Sequence, residues 1–146
     1  INAPIDEVFE FCACADGFEE HFPHKLVWPS GKSEWRRDSR FEFRFRQFGF
    51  WVPWHGKFVE WEHGKKFVDV LERGMMRFYE HTHLFEPKES GTQYTDRIRF
   101  STGLGRWMDR IVLRLMIRPT FAKRHRNMKA ALEQGTACTQ RTRTIG

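Results

Sequence analysis

In the segment RFEFRFRQF, residues 40–48, apolar and charged positions alternate strictly from Arg40 to Arg46. Phe41, Phe43 and Phe45 fall on one side of an extended chain, and Glu42, Arg44 and Arg46 on the other. A period of two predicts a strand in a sheet with one face on the core and one in water. Burying each Phe contributes roughly 1.5–3 kcal/mol, which pins the register. KFVEWE (57–62), KFVDVLE (66–72), FYEHTHLFEP (78–87) and TQYTDRIRFS (92–101) read as further strands. Gly64, Gly74 and the Lys88–Gly91 turn separate them, and GFWVPWHG (49–56) reads as a reversal. The faces of 57–62 and 66–72 stay open, because both sides of each carry apolar residues and a bulge would exchange them.

The period changes at both ends of the chain. NAPIDEVFEFCACAD (2–16) begins with Pro4, followed by Asp6 and Glu7, a helix-start signature. Ile5, Val8, Phe9 and Cys12 form its apolar stripe, and Asp16-Gly17 ends it. GFEEHF (17–22) reads as a second short helix stopped by Pro23, and HKLVWPSGKSEW (24–35) as two short extended pieces around Pro29-Ser30-Gly31. Beyond the strands, Leu104, Met108, Ile111 and Leu115 form one helical stripe, then Phe121, His125, Met128 and Leu132 another. Pro119 is expected to kink or break this helix. Residues 134–146 are polar, basic and aperiodic, and are expected to be a disordered tail beyond a single domain over 1–133. There is no internal repeat. This order predicts an α+β domain: a curved antiparallel sheet wrapped around a long C-terminal helix. Such a sheet cannot close tightly on one helix, so a cavity between them is expected.

Composition supports a lined cavity: aromatics make up 16% of the 146 residues, and 15 of those are Phe. The formal charge of +6 favours anionic partners, or simply marks a basic protein. No apolar run approaches the ~20 residues needed to cross a bilayer, and no signal peptide is visible. The chain starts at Ile1 rather than Met, which leaves the native N-terminus open. Cys12, Cys14 and Cys138 are odd in number and form no CxxC or metal ladder, which fits a reducing cytoplasm.

Four stretches resemble the START-like helix-grip superfamily (SRPBCC), especially its bacterial polyketide-cyclase/dehydratase-like and lipid-transfer-like members. They are INAPIDEVFEF (1–11), FVEWEHGKKFVDVLERG (58–74), YEHTHLFEPKESGTQYTDRIRF (79–100) and FAKRHRNMKAALE (121–133). In that family a strand precedes the NAP motif. Here only Ile1 stands before it, so a truncated first strand is expected. The resemblance implies a helix-grip fold with a hydrophobic cavity between sheet and last helix. It implies no reaction and carries over no catalytic set.

Pairing Phe85 with Tyr94 across the Lys88–Gly91 turn sets His83 opposite Asp96, His81 opposite Ile98 and Tyr79 opposite Phe100. All eight then share the inner face, with Arg97 and Arg99 on the wet one. Three readings of His81, His83 and Asp96 stay open. A His83–Asp96 hydrogen bond would satisfy a buried pair structurally. The histidines could instead donate to a polar group on a ligand, or a His–Asp pair could act as general acid/base on a carbonyl. A metal is the weakest option, because no fourth ligand is apparent, and neither metal nor cofactor is expected. The expected ligand-lining set adds Phe41, Phe43, Phe45, Met108, Ile111, Leu115, Phe121 and His125.

Two surfaces complete the reading. Arg106, Arg110 and Arg114, with Arg118 slightly off line and then Lys123, Arg124, Arg126 and Lys129, form a cationic helix stripe. A solvated face is the simpler account, and anionic lipid the alternative. No motif for reading nucleic acid is present. In FGFWVPW (48–54), the aromatics Phe48, Phe50, Trp51 and Trp54 would either touch a bilayer interface, gate the cavity or line it. The function expected is binding of a small or medium hydrophobic ligand, lipid-, polyketide- or isoprenoid-like, by a carrier or sensor. The alternatives are a cyclase/dehydratase-type enzyme and a membrane-peripheral module.

Overall fold

In a computed structural model, residues 1–135 are described, and the part of the expected tail from 136 onward, with Cys138, lies outside them. Two short helices, α1 (Ile5–Cys12) and α2 (Ala15–His21), precede six strands. These are β1 (Leu26–Val27), β2 (Arg40–Gln47), β3 (Phe50–Glu62), β4 (Lys66–Arg73), β5 (Phe78–Lys88) and β6 (Gly91–Ser101). They form one antiparallel meander in sequence order. The helical run that follows comprises α3 (Arg106–Val112), a π-helical segment (Leu113–Ile117) and α4 (Arg118–Glu133).

The alternation in β2 sets the core. Phe41, Phe43 and Phe45 are buried, and Arg40, Arg44 and Arg46 are exposed. Phe41 lies across Gly56 of β3, where an added Cβ would sit 2.2 Å from the ring. Glycine there lets the ring lie flat on the neighbouring backbone. The reversal expected over 49–56 is confined to Phe48-Gly49, whose φ values of 49° and 83° fit a two-residue hairpin turn. The chain from Phe50 onward is already β3. A bulge between Phe58 and Glu60 breaks the alternation and lets both Phe58 and Trp61 pack inward. In β4, Phe67, Val68 and Asp69 are buried in succession. No strand forms over 31–36, although Trp35 there is buried.

Helix α1 buries Val8, Phe9, Phe11 and Cys12. Phe9 sits amid Trp61, Phe67 and Phe85, at centroid distances of 5.8, 5.7 and 5.0 Å. Ile1 exchanges both backbone hydrogen bonds with Thr92 on the edge strand β6, at 2.9 and 3.0 Å.

The C-terminal helix differs from expectation in two ways. Pro119 does not end it. Its missing N–H and bulky ring fall just after the π-helical turn, which accommodates the lost hydrogen bond while the helix continues. The wide turn also shifts the helical phase. Leu104, Ile111 and Leu115, expected to face the sheet, are exposed, whereas Met116, Ile117 and Phe121 face inward. No described helix is long and apolar enough to cross a membrane.

Candidate functional site

Between sheet and helix lies a cavity of about 100 Å³. Phe41, Phe43, Phe45, Trp35 and Trp54 form part of its wall, and Met116, Ile117, Thr120 and Phe121 close it from the helix. Asp69, His81, His83 and Arg124 supply charge or ring polarity on a predominantly apolar lining.

The strand registers bring the polar groups together. Asp69 on β4 pairs with His81 on β5, and His83 pairs with Asp96 on β6. Side chains nevertheless reach diagonally. His81 Nε2 is 2.6 Å from Asp96 Oδ1, whereas His83 Nδ1 stands 3.6 Å from the same oxygen. The expected His83–Asp96 hydrogen bond is therefore replaced by His81–Asp96. His83 instead places Nε2 2.9 Å from Asp69 Oδ2 and Nδ1 2.6 Å from the Tyr94 hydroxyl. Burial, and then the neighbouring His81, lower the His83 pKa to about 3, so its ring is neutral. The Tyr94 hydroxyl donates its proton to Asp96 Oδ1, 2.5 Å away.

Asp96 is the hub. Its second oxygen is 2.5 Å from Nε2 of His125, a side chain that remains 43% exposed, while the Asp96 side chain itself is 4% exposed. Behind it lies Arg124, 2% exposed, with Nη1 3.8 Å from Asp96 Oδ1. Arg124 also donates to the Tyr94 hydroxyl at 3.1 Å and to Nδ1 of the buried His21 at 3.2 Å. Its guanidinium lies 5.2 Å over the Phe121 ring. Burial alone would raise the Asp96 pKa, but Arg124, His81 and His125 carry it well below the usual carboxylate range. Burial, reinforced by Arg124, holds His21 well below its usual value.

Of the expected lining residues, Phe41, Phe43, Phe45, Tyr79, His81, His83 and Phe121 meet at the cavity. Tyr94, Asp96 and His125 form the layer behind it, and Phe85 packs in the core against Phe9. Ile98, Phe100 and Met108 are half-buried away from the cavity, and Ile111 and Leu115 face outward. Trp54 packs edge-on to Tyr79 at 4.8 Å and lines the cavity rather than the surface. Among the participants the sequence reading did not place in the site are Asp69 and Arg124. Asp69 sits in a strand whose three consecutive buried residues hide its face. Arg124 was assigned to the cationic stripe, yet it lies three residues after Phe121 and four before Met128, a spacing that marks the buried side of the helix.

Asp69, His81 and His83 are the described residues that could hold a divalent ion, with ligand atoms within 4.8 Å of one another. Asp96 and Tyr94 would then hold the other ring nitrogens. In this structure His83 Nε2 and Asp69 Oδ2 bond to each other, with His81 Nδ1 3.5 Å from the same oxygen.

No family model and no curated protein matches the chain. Solved structures do. A protein from Chromobacterium violaceum is 12% identical with a TM-score of 0.71, covering 91% of this chain and 92% of that one. Ara h 8.0201 is 10% identical with a TM-score of 0.69, over 91% and 92%. The di-domain ARO/CYC StfQ from the steffimycin biosynthetic pathway is 18% identical with a TM-score of 0.68; the match covers 92% of this chain but 48% of StfQ. Similarity at this level concerns the fold. The chain has the helix-grip fold.

Proposed function

We infer that this domain binds a small, largely apolar molecule bearing one polar group, in the cavity between sheet and helix. The observation that carries this reading is the buried Asp69–His81–His83 cluster on the wall of an aromatic-lined space. Its volume of about 100 Å³ suits a single ring or short chain more than a polycyclic lipid, given that an engineered cavity of roughly 150 Å³ holds benzene. Trp35 adds a second polar point. It lines the cavity, and its buried Nε1 has no hydrogen-bond partner among the described residues. A ligand oxygen would satisfy it. The buried free thiol of Cys12 fits a reducing, cytoplasmic setting.

Phenol and toluene, nearly the same in shape, test the assignment. A hydrogen bond to a charged or strongly polar partner contributes about 1.5–3 kcal/mol, so phenol should bind roughly tenfold to a hundredfold more tightly by calorimetry. Trp35→Phe or His81→Gln should narrow the gap. Equal affinities for the two compounds would remove the polar cluster from ligand recognition.

The His125–Asp96–His81 chain favours a second reading. It runs from a half-exposed imidazole through a buried carboxylate to the cavity wall, at 2.5 and 2.6 Å. Such a chain can pass protons between solvent and a carbonyl compound held in the cavity. It predicts that the protein speeds α-proton exchange of cyclohexanone in D2O. His125→Gln, a residue outside the cavity lining, should slow that exchange while leaving phenol affinity unchanged. Exchange at the uncatalysed rate would leave binding as the sole role.

A further inference from the structure

Of the ten large apolar side chains exposed on the described surface, nine lie on the strand ends and loops at one end of the sheet or on the helix that leaves it after β6. At the β2–β3 turn, Phe48 and Phe50 are 69% and 75% exposed, with Trp51 beside them. Register places the close of β4, the start of β5 and the close of β6 at the same end, since His55 pairs with Arg73 and Phe78 with Ser101. Met75 and Phe78 are exposed there. Leu104 follows β6, in a loop where Gly103 abuts the Arg77 side chain. On the helix, Trp107, Ile111 and Leu115 recur every four residues and all face outward. Helix α3 buries none of its residues. An α-helix that presents tryptophan to water and fully buries none of its side chains lacks the partner that would normally justify its outward apolar face.

The charges between these side chains are cationic. Arg46 lies opposite Trp51, and Arg73 and Arg77 flank Met75. Arg106, Arg110 and Arg114, all exposed, run beside the Trp107–Leu115 stripe. The nearby acids are engaged elsewhere: Glu72 pairs with Arg40 at 2.8 Å, and Asp109 accepts from Thr102 N–H and Oγ1. Aromatic and aliphatic side chains interleaved with arginine suit a bilayer interface with anionic head groups, where the rings sit at head-group depth and the guanidiniums meet phosphate. A protein partner of ordinary composition would not require this sign of charge on every flank. Gln47, Met76 and Met116, at this end, also line the cavity.

We propose that this end of the domain docks on an anionic lipid bilayer, with the Phe48–Phe50 turn and the Trp107–Leu115 helix face inserted between head groups. The proposal stands apart from the identity of the cavity's ligand. The test is flotation of the whole chain with phosphatidylcholine vesicles with and without phosphatidylglycerol. Binding is expected only with the anionic lipid and should weaken as salt rises. Phe50→Ser combined with Trp107→Ser should lower apparent vesicle affinity at least about tenfold, and so should Arg110→Glu combined with Arg114→Glu. All four positions are exposed, so thermal midpoints should stay unchanged. Three results would overturn the proposal: no binding to either vesicle at low salt, binding indifferent to these substitutions, or a dimer in solution that Phe50→Ser and Trp107→Ser disperse. The last would make this end the contact between two copies of the chain.

Discussion

Asp96→Ala should cost the folded state about 3–5 kcal/mol, the usual penalty for removing one partner of a buried charge pair. The variant strands the Arg124 guanidinium, 2% exposed, and leaves His81, His125 and Tyr94 without their common acceptor. For a domain of this size that corresponds to a drop in thermal midpoint of about 6–20 °C. The pairing can be tested directly. Asp96→Leu with Arg124→Met removes both charges, and an ion pair replaced by apolar groups of similar volume is often near neutral. The double variant should therefore be less destabilised than the sum of the single ones. Additive losses would mean that Asp96 and Arg124 act independently, against the geometry described above.

Stability should fall steeply in mild acid. His21 and His83 are neutral when folded, chiefly because burial disfavours their charged forms. In the unfolded chain both take up protons near pH 6.5. The folded values are depressed, so below pH 6.5 the unfolded state binds more protons and the native state loses ground. Each such histidine contributes about 1.4 kcal/mol per pH unit. His83 alone should remove roughly 5 kcal/mol between pH 6.5 and its folded pKa of about 3, and His21 adds to the loss in the same direction. Asp96 behaves differently: its folded pKa is depressed well below the ordinary carboxylate value, so its contribution is intact above about pH 4 and lost only beneath it. Urea titrations at stepped pH measure the slope, and His83→Gln should reduce it. Stability that stays level from pH 7 to pH 4 would contradict the neutral assignment of both rings.

The strands and their order were readable because period-two alternation and burial are the same constraint. Phe41, Phe43 and Phe45 could face only one way, and the Lys88–Gly91 turn set the β5–β6 register residue for residue. What the sequence could not convey was side-chain reach. Opposition of His83 and Asp96 was read correctly, but Asp69 competes for His83 from the neighbouring strand, and a diagonal imidazole wins Asp96. Asp69 itself was hidden by the bulged pairing of β3 with β4. The helix was misread for a different reason: a constant period carried past residue 113 assigns Ile111 and Leu115 to the wrong side, because the backbone changes pitch there. Arg124 shows that a cation can belong to the interior when a carboxylate and a hydroxyl are waiting for it.

That change of pitch has a structural consequence. The extra residue in the turn between Leu113 and Ile117 works as a phase adapter. Upstream, the helix can obey the demands of the surface; downstream, those of the interior, and neither stretch has to compromise its own repeat. Mutational drift on one half therefore leaves the orientation of the other intact, so the outward and inward faces of a single continuous helix are free to diversify separately.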